Sequence, residues 1–252
     1  MDIVIVTGAS AGIGRATAIE LGARGMGVVV TYNHRASDAA DVVRHIESEG
    51  GTAAALQLDV ADIAALPGFV QRLIAVLEEK WETDRLYGLV NNAGIGGGAP
   101  FAEVTEEEFD RFHTTLFKGP YFLTQQLLPM ISDGGVIVNT GSTSALPSGT
   151  EAGYSSYASQ KGAVHTLTRC WAKECSPRRI RVNAVAPGST RTQIADDAFT
   201  RMPDAVAAAA STVALGRIGE PEDVARAIAF LAGRDGGWIT GEVIECSGGQ
   251  NL

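Results

Sequence analysis

Short runs of β-branched and aliphatic residues alternate with longer amphipathic stretches along the whole chain. Ile3 to Val6 is the first apolar run and reads as a buried strand. A glycine-punctuated turn leads into a helical stretch from about Ile13 to Arg24, which Gly25 and Gly27 end. Val28 to Tyr32 reads as a second strand, Asp38 to Glu49 as a helix closed by Gly50 and Gly51, and Thr52 to Leu58 as a third strand ending at Asp59. From Phe69 to Trp81 the apolar residues Phe69, Val70, Leu73, Ile74 and Leu77 share one helical face. Leu86 to Val90 is a fourth strand and runs into Asn91-Asn92-Ala93-Gly94. The second half keeps this rhythm: a long helix from Phe109 to Met130, a strand from Gly135 to Thr140, a long helix from Tyr154 to Cys175, and a strand from Ile180 to Val185 that ends at Pro187-Gly188. Glu220 to Ala232 is helical, with Pro221 in the first turn where a missing N–H costs nothing, and Glu242 to Cys246 is a last strand.

Strands alternating with helices imply a parallel sheet covered on both faces. About seven strands fit an α/β, Rossmann-type doubly wound fold, and no repeat or linker divides residues 1–252 into more than one domain. Ser189 to Val213 breaks the rhythm just after the C-terminal end of a strand, the ligand side of such a sheet, so a substrate lid over 189–213 is expected; an ordinary surface helix pair is the alternative.

Composition narrows the function classes. At 252 residues and 45% hydrophobic, the chain can bury a large core. A net charge of −9 disfavours nucleic acid as a partner. Arg178, Arg179 and Arg181 form a small basic cluster, read as a solvated helix end. Cys170, Cys175 and Cys246 are odd in number and match no zinc spacing, so free thiols and no metal are expected. The start, MDIVIVTGAS, lacks the features of a signal peptide, and no apolar run approaches the ~20 residues of a membrane helix, so a cytoplasmic protein is expected.

Thr7-Gly8-Ala9-Ser10-Ala11-Gly12-Ile13-Gly14 joins the first strand to the first helix. Glycines permit a tight turn, and the helix N-terminus offers N–H groups and partial positive charge to a pyrophosphate. The spacing T-G-x-x-x-G-x-G resembles the glycine motif of the short-chain dehydrogenases/reductases, as do, in order, Asp59-Val60, Asn91-Asn92-Ala93-Gly94, Ser142, Tyr157-x-x-x-Lys161, Asn183, Pro187-Gly188 and Ser247-Gly248-Gly249. The resemblance covers essentially the whole chain and extends to 3-oxoacyl-carrier-protein-reductase-like members. It implies an NAD(P)(H)-dependent oxidoreductase acting on a small-molecule carbonyl or secondary alcohol, as a homo-oligomer (tetramer or dimer).

Tyr157 and Lys161 stand four residues apart, on one helical face. A phenol titrates near ~10, too high for acid–base work at neutral pH. An ammonium at ~4 Å favours the phenolate by up to about 4 kcal/mol, roughly 3 pKa units, so Lys161 is expected to bring Tyr157 towards the working pH. Tyr154 has Ala158, not lysine, four residues on. The resemblance implies that Ser142, at the end of its strand, polarises the substrate oxygen; Ser144 would restore the commoner spacing to Tyr157 and is the alternative. Where the family usually has an asparagine supporting a relay water, this chain has Leu116. A backbone carbonyl or a neighbour such as His113 substitutes, or the relay runs differently, or activity is reduced. The last leads to a second reading, a cofactor-binding sensor or scaffold. A sugar-nucleotide epimerase is a weaker third, because those relatives usually carry a larger C-terminal region.

For the cofactor, the resemblance implies contacts from Gly8, Ser10, Gly12, Ile13, Gly14, Asp59, Val60, Asn91, Ala93, Gly94, Tyr157, Lys161, Pro187, Gly188, Thr190 and Thr192. The second strand ends without an acidic residue until Asp38, while Thr31, Asn33, Arg35 and Ser37 could hold a 2′-phosphate. That favours NADP(H); Ala11, at a position often basic in NADP-using relatives, keeps NAD(H) open. Gly96 to Pro100, Ala145 to Gly153 and Ile194 to Met202 are candidate substrate-pocket segments.

Overall fold

The computed structural model describes residues 1–193, 199 and 203–252. The lid segment Ile194–Met202, Phe199 aside, lies outside the described residues. Seven strands form one parallel sheet: β1 Ile3–Val6, β2 Gly27–Tyr32, β3 Thr52–Gln57, β4 Leu86–Asn91, β5 Ile131–Thr140, β6 Arg181–Pro187 and β7 Val243–Cys246, in the order β3-β2-β1-β4-β5-β6-β7. The order reverses at β1, so a crevice opens beyond the C-terminal ends of β1 and β4.

The α-helices among the described residues are α1 Gly12–Ala23, α2 Ala36–Ser48, α3 Leu66–Trp81, α4 Glu106–His113, α5 Gly119–Leu127, α6 Ser155–Glu174, α7 Pro203–Ser211 and α8 Pro221–Ala232. Side chains of a strand alternate between faces, and β1 shows why its run is apolar throughout. Ile3 and Ile5 join one core with Phe69, Leu73 and Leu77 of α3, Leu123 of α5 and Trp171 of α6. Val4 and Val6 join the other with Leu21 of α1, Val42 of α2 and Ile228 of α8.

The expected single helix Phe109–Met130 is broken. Thr105 caps α4 through the Glu108 N–H (3.1 Å), and residues Thr114–Lys118 then form a π turn before α5. Pro120 has no N–H to return to the Leu116 carbonyl, and Gly119 packs so closely that a Cβ there would lie 2.1 Å from the Val60 carbonyl oxygen. The chain therefore widens by one residue at Leu116. β5 starts at Ile131, earlier than the expected Gly135, at the cost of a register irregularity between Leu86 and Gly88 of β4.

The arginine cluster is not a solvated helix end. Arg178 donates to the Leu128 carbonyl (2.8 Å) and the Ile131 carbonyl and pairs with Asp133. Arg181 donates to the carbonyls of Leu231 (2.6 Å), Gly233 (3.2 Å) and Gly236 (2.9 Å), covering the C-terminal end of α8. The three cysteines are free.

Candidate active site

The crevice is held open by a clamp between β1 and β4. The Thr7 hydroxyl accepts the N–H groups of Asn92 and Ala93, both at 2.9 Å, and the Asn92 amide donates to the Thr7 carbonyl at 3.0 Å. Gly8 has φ +63° and a Cβ there would lie 2.8 Å from Ala93 Cα; one at Gly14 would lie 2.3 Å from the Gly8 carbonyl oxygen. Both positions therefore require glycine. No side chain caps α1, whose N-cap is Ala11, so its first N–H groups face the crevice. A cavity of about 440 Å³ runs from this turn, lined among others by Ser10, Gly12, Arg15, Asp38 and Thr192. This turn fits the diphosphate of a dinucleotide.

The candidate 2′-phosphate residues divide. Thr31 is buried, with its hydroxyl donated to the Val6 carbonyl, so it faces the sheet and not the crevice. The Ser37 hydroxyl donates to Asp38. Arg35 is exposed, bonds Gln193 and lies 3.9 Å from Asp38. Asn33 sits beside it and accepts from Gln57 on its carbonyl. Arg15, a cation not among the candidates, lines the cavity at the phosphate turn together with Asp38, Asp41 and Arg191.

Other candidates take internal roles. Asp59 accepts the Ala61 N–H at 2.9 Å, and Val60 is buried. The Asn91 amide points under the sheet, donating to Thr124 and to Asn139 at 2.9 Å each, which leaves only its backbone towards the crevice. Gly188 sits against Gln250 and Ser247, and the Thr190 hydroxyl donates to the Gly188 carbonyl. Thr192 lies over the phosphate turn, its methyl 3.4 Å from where a Cβ of Gly12 would be.

At the other end of the crevice, α6 places Tyr157 and Lys161 on one face. Lys161 is buried; its Nζ donates to the Thr140 carbonyl at 2.7 Å and stands 5.8 Å from the centre of the Tyr157 ring. Tyr157 is half-buried and hydrogen-bonded to Ser142, which follows β5. The Ser142 hydroxyl also accepts the Ser144 N–H at 3.1 Å, so Ser142, and not Ser144, lies against the phenol.

The electrostatics differ from the expectation. Burial raises the Tyr157 pKa, and the hydrogen bond from Ser142 opposes this only in part. Burial also pushes Lys161 down to about 8. Desolvation is the largest influence on both groups, so the phenol stays protonated.

Leu116 is buried in the π turn and packs on Gly94, its Cδ2 3.2 Å from where a Cβ of Gly94 would lie. His113 does not substitute for the missing amide at the lysine, since its Nδ1 pairs with Gln160 at 3.0 Å. The sequence reading also missed His165, one turn beyond Lys161. Its Nε2 lies 3.4 Å from the Ser142 nitrogen and 2.1 Å from where a Cβ of Gly141 would be, and burial lowers its pKa to about 4. Its spacing of four from Lys161 was the available signal.

Comparison with known proteins follows the same lines. The family described as Enoyl-(Acyl carrier protein) reductase matches residues 8–251. Versicolorin reductase 1 of Aspergillus parasiticus is 37% identical over 98% of this chain and 95% of its own length. Tetrahydroxynaphthalene reductase of Pyricularia oryzae is 34% identical over 98% of this chain and 88% of its own. The solved structure of the angucycline C-6 ketoreductase LanV with bound NADP superposes with a TM-score of 0.94 at 35% identity, covering 100% of this chain and 96% of that one. The chain belongs to the short-chain dehydrogenase/reductase family and is an NAD(P)-dependent oxidoreductase.

Proposed function

We propose that the protein is an NADP(H)-dependent ketone reductase, a single domain over residues 1–252, in which Tyr157 is the general acid. The observation that carries this is the convergence of Ser142, Tyr157 and Lys161 at the rim of a crevice whose other end is a glycine turn under an uncapped helix. A nicotinamide dinucleotide held by the glycine turn and the N-terminus of α1 would supply the hydride for the carbonyl carbon. Ser142 donates a hydrogen bond to the carbonyl oxygen, and the Tyr157 hydroxyl gives its proton to that oxygen as the C–O⁻ develops. The product is a secondary alcohol, and the phenolate left on Tyr157 is stabilised by Lys161. The raised pKa of the free enzyme keeps the proton on Tyr157 until the substrate takes it.

Arg15, which lines the cavity, and Arg35, which bonds the cavity residue Gln193, support the NADP(H) preference. Two structural relatives agree, one with NADP and one, a blue fluorescent protein from a metagenomic library, with NADPH. The substrate we propose is a flat, fused-ring ketone. Tyr154 is 37% exposed and packs edge-on to Tyr157 with ring centres 6.4 Å apart, an aromatic surface beside the acid. A relative named for tetrahydroxynaphthalene, itself a fused-ring phenol, supports the same reading.

The test is turnover of a panel of fused-ring ketones followed by nicotinamide absorbance, with NADPH and with NADH. Tyr157→Phe is expected to lose roughly 10³-fold in kcat while NADPH affinity stays within a few-fold. NADPH binding with no turnover of any carbonyl would favour a sensor instead.

A further inference from the structure

The chain at the end of β5 is stitched to one stripe of α6. Tyr157, Lys161 and His165 follow one another at intervals of four, and Thr168 extends the same face. Thr168 accepts the Asn139 amide at 3.0 Å, Lys161 Nζ donates to the Thr140 carbonyl at 2.7 Å, and Tyr157 bonds the Ser142 hydroxyl. His165 is the member of this stripe that the proposed chemistry leaves without a role, although it is 4% exposed and its burial costs solvation. Its ring edge lies against the backbone at Gly141, where a Cβ would be 2.1 Å from Nε2 and 2.6 Å from Cδ2. Gly141 itself continues the sheet, its N–H donating to the Val185 carbonyl at 2.7 Å. The next N–H, that of Ser142, leaves the ladder; among the described residues its acceptor is His165 Nε2 at 3.4 Å. Ser142 is 8% exposed, so an unmatched N–H there would be costly.

We propose that His165 is a positioning residue for Ser142: its bare Nε2 accepts the Ser142 N–H and, with the ring seated on Gly141, fixes the backbone from which the Ser142 hydroxyl reaches Tyr157 and the substrate oxygen. The hydroxyl is then directed from both sides. Its oxygen accepts the Ser144 N–H at 3.1 Å, which leaves its proton for Tyr157 in the free enzyme and for the carbonyl oxygen when a ketone is bound. A neutral imidazole has one donor and one acceptor nitrogen, so the ring proton sits on Nδ1. A pKa of about 4 keeps the ring in this form at neutral pH. The bond is long, so what it contributes is direction more than strength, and direction is what a hydroxyl aimed at a reacting oxygen needs. Gly141 and His165 are matched, because any side chain at position 141 would displace the ring.

This inference rests on the proposed reductase chemistry for its kinetic test but not for its spectroscopic one. Nitrogen NMR of the histidine-labelled protein at pH 7, with the His165 signals assigned by their loss in His165→Gln, is expected to show Nδ1 protonated and Nε2 bare; a proton on Nε2 would overturn the proposal. His165→Leu removes the acceptor and is expected to lower kcat roughly 10-fold, with the ketone KM and NADPH affinity each within about 2-fold. His165→Gln, whose amide oxygen can take the place of Nε2, should bring kcat back to within about 3-fold of wild type. The sharpest readout is a cycle with Ser142→Ala, in whose background His165→Leu should cost less than about 2-fold more, because the hydroxyl it positions is already gone. A merely structural histidine would cost the same ~10-fold in both backgrounds. That result, or wild-type kcat in His165→Leu, would sink the positioning role. Thermal melts at pH 7.5 separate a folding defect from lost positioning. Absence of turnover in the wild type would instead remove the reductase reading, and the nitrogen spectrum would still decide whether Nε2 is the acceptor that holds Ser142.

Discussion

The two ends of the crevice are made of different materials. The phosphate turn is backbone: glycines packed against Ala93 and against each other, and the free N–H groups of α1. The proposed catalytic end is side chain: a buried lysine, a buried neutral histidine and a phenol held up in pKa by its surroundings. The first end works by shape and tolerates no added atom. The second works by charge held where charge is disfavoured, so it costs stability in order to act.

The largest effect expected from this contrast is at Lys161. Lys161→Met should cost roughly 10²-fold or more in turnover and yet stabilise the free protein by roughly 1–3 kcal/mol at pH 7, because a buried charge is removed. The sign follows from linkage. The folded pKa of about 8 lies below the ordinary 10.5, so between these values the unfolded chain holds a proton that the fold has released. Wild-type stability should therefore rise with pH within that window, and denaturant titrations of Lys161→Met should show the rise gone. A variant less stable than wild type at pH 7 would break the comparison.

Next comes the backbone end. Gly14→Ala places a Cβ 2.3 Å from the Gly8 carbonyl oxygen and should cost about 3 kcal/mol of stability and at least ~10-fold in NADPH affinity. Gly25→Ala is its control. Gly25 has φ +79° but no atom within 4 Å of the added carbon, so its cost should stay near ~1 kcal/mol with NADPH binding unchanged. Thermal melts and fluorescence titration measure both.

The smallest effect on stability belongs to His165. Its pKa lies near 4 against an ordinary 6.5, from burial first and then the charges of Lys161 and Arg169. The stability that comes from keeping it neutral is complete above pH 6.5 and is lost as pH falls towards 4. His165→Leu should flatten the melting temperature across that interval while leaving it similar at pH 7.5.

The same contrast explains what could be read from the residues alone. The glycine turn was legible because its constraint is local: only glycine fits, and its spacing is visible. Tyr157 and Lys161 were legible because four residues on a helix share a face. The strands were legible as apolar runs because both faces of the sheet are buried. The break at Thr114–Lys118 was not, since the apolar periodicity runs through it and its cause, Gly119 against the Val60 carbonyl, lies far away in sequence. Nor were the targets of Arg178 and Arg181, which are carbonyls some 50 residues distant. The electrostatic balance at Tyr157 also needed the fold, because depth of burial decided it.

One contact near the substrate side has a wider consequence. Ser189 and Arg191 bond the backbone of Gly219 at 2.8 Å each, and Arg191 also pairs with Glu220 at the start of α8. The chain between them is thus closed into a loop at this point, and the N–H groups of Ala214 and Leu215 tie its returning end a second time, to the carbonyls of Gly249 and Gly248. Closing a loop between fixed ends costs only about 0.6 kcal/mol more for each doubling of its length. Extra length in this loop therefore adds little closure cost, whereas the buried Val213 and Ile218 and the bridge from Val213 to Gln250 make its returning end part of the core.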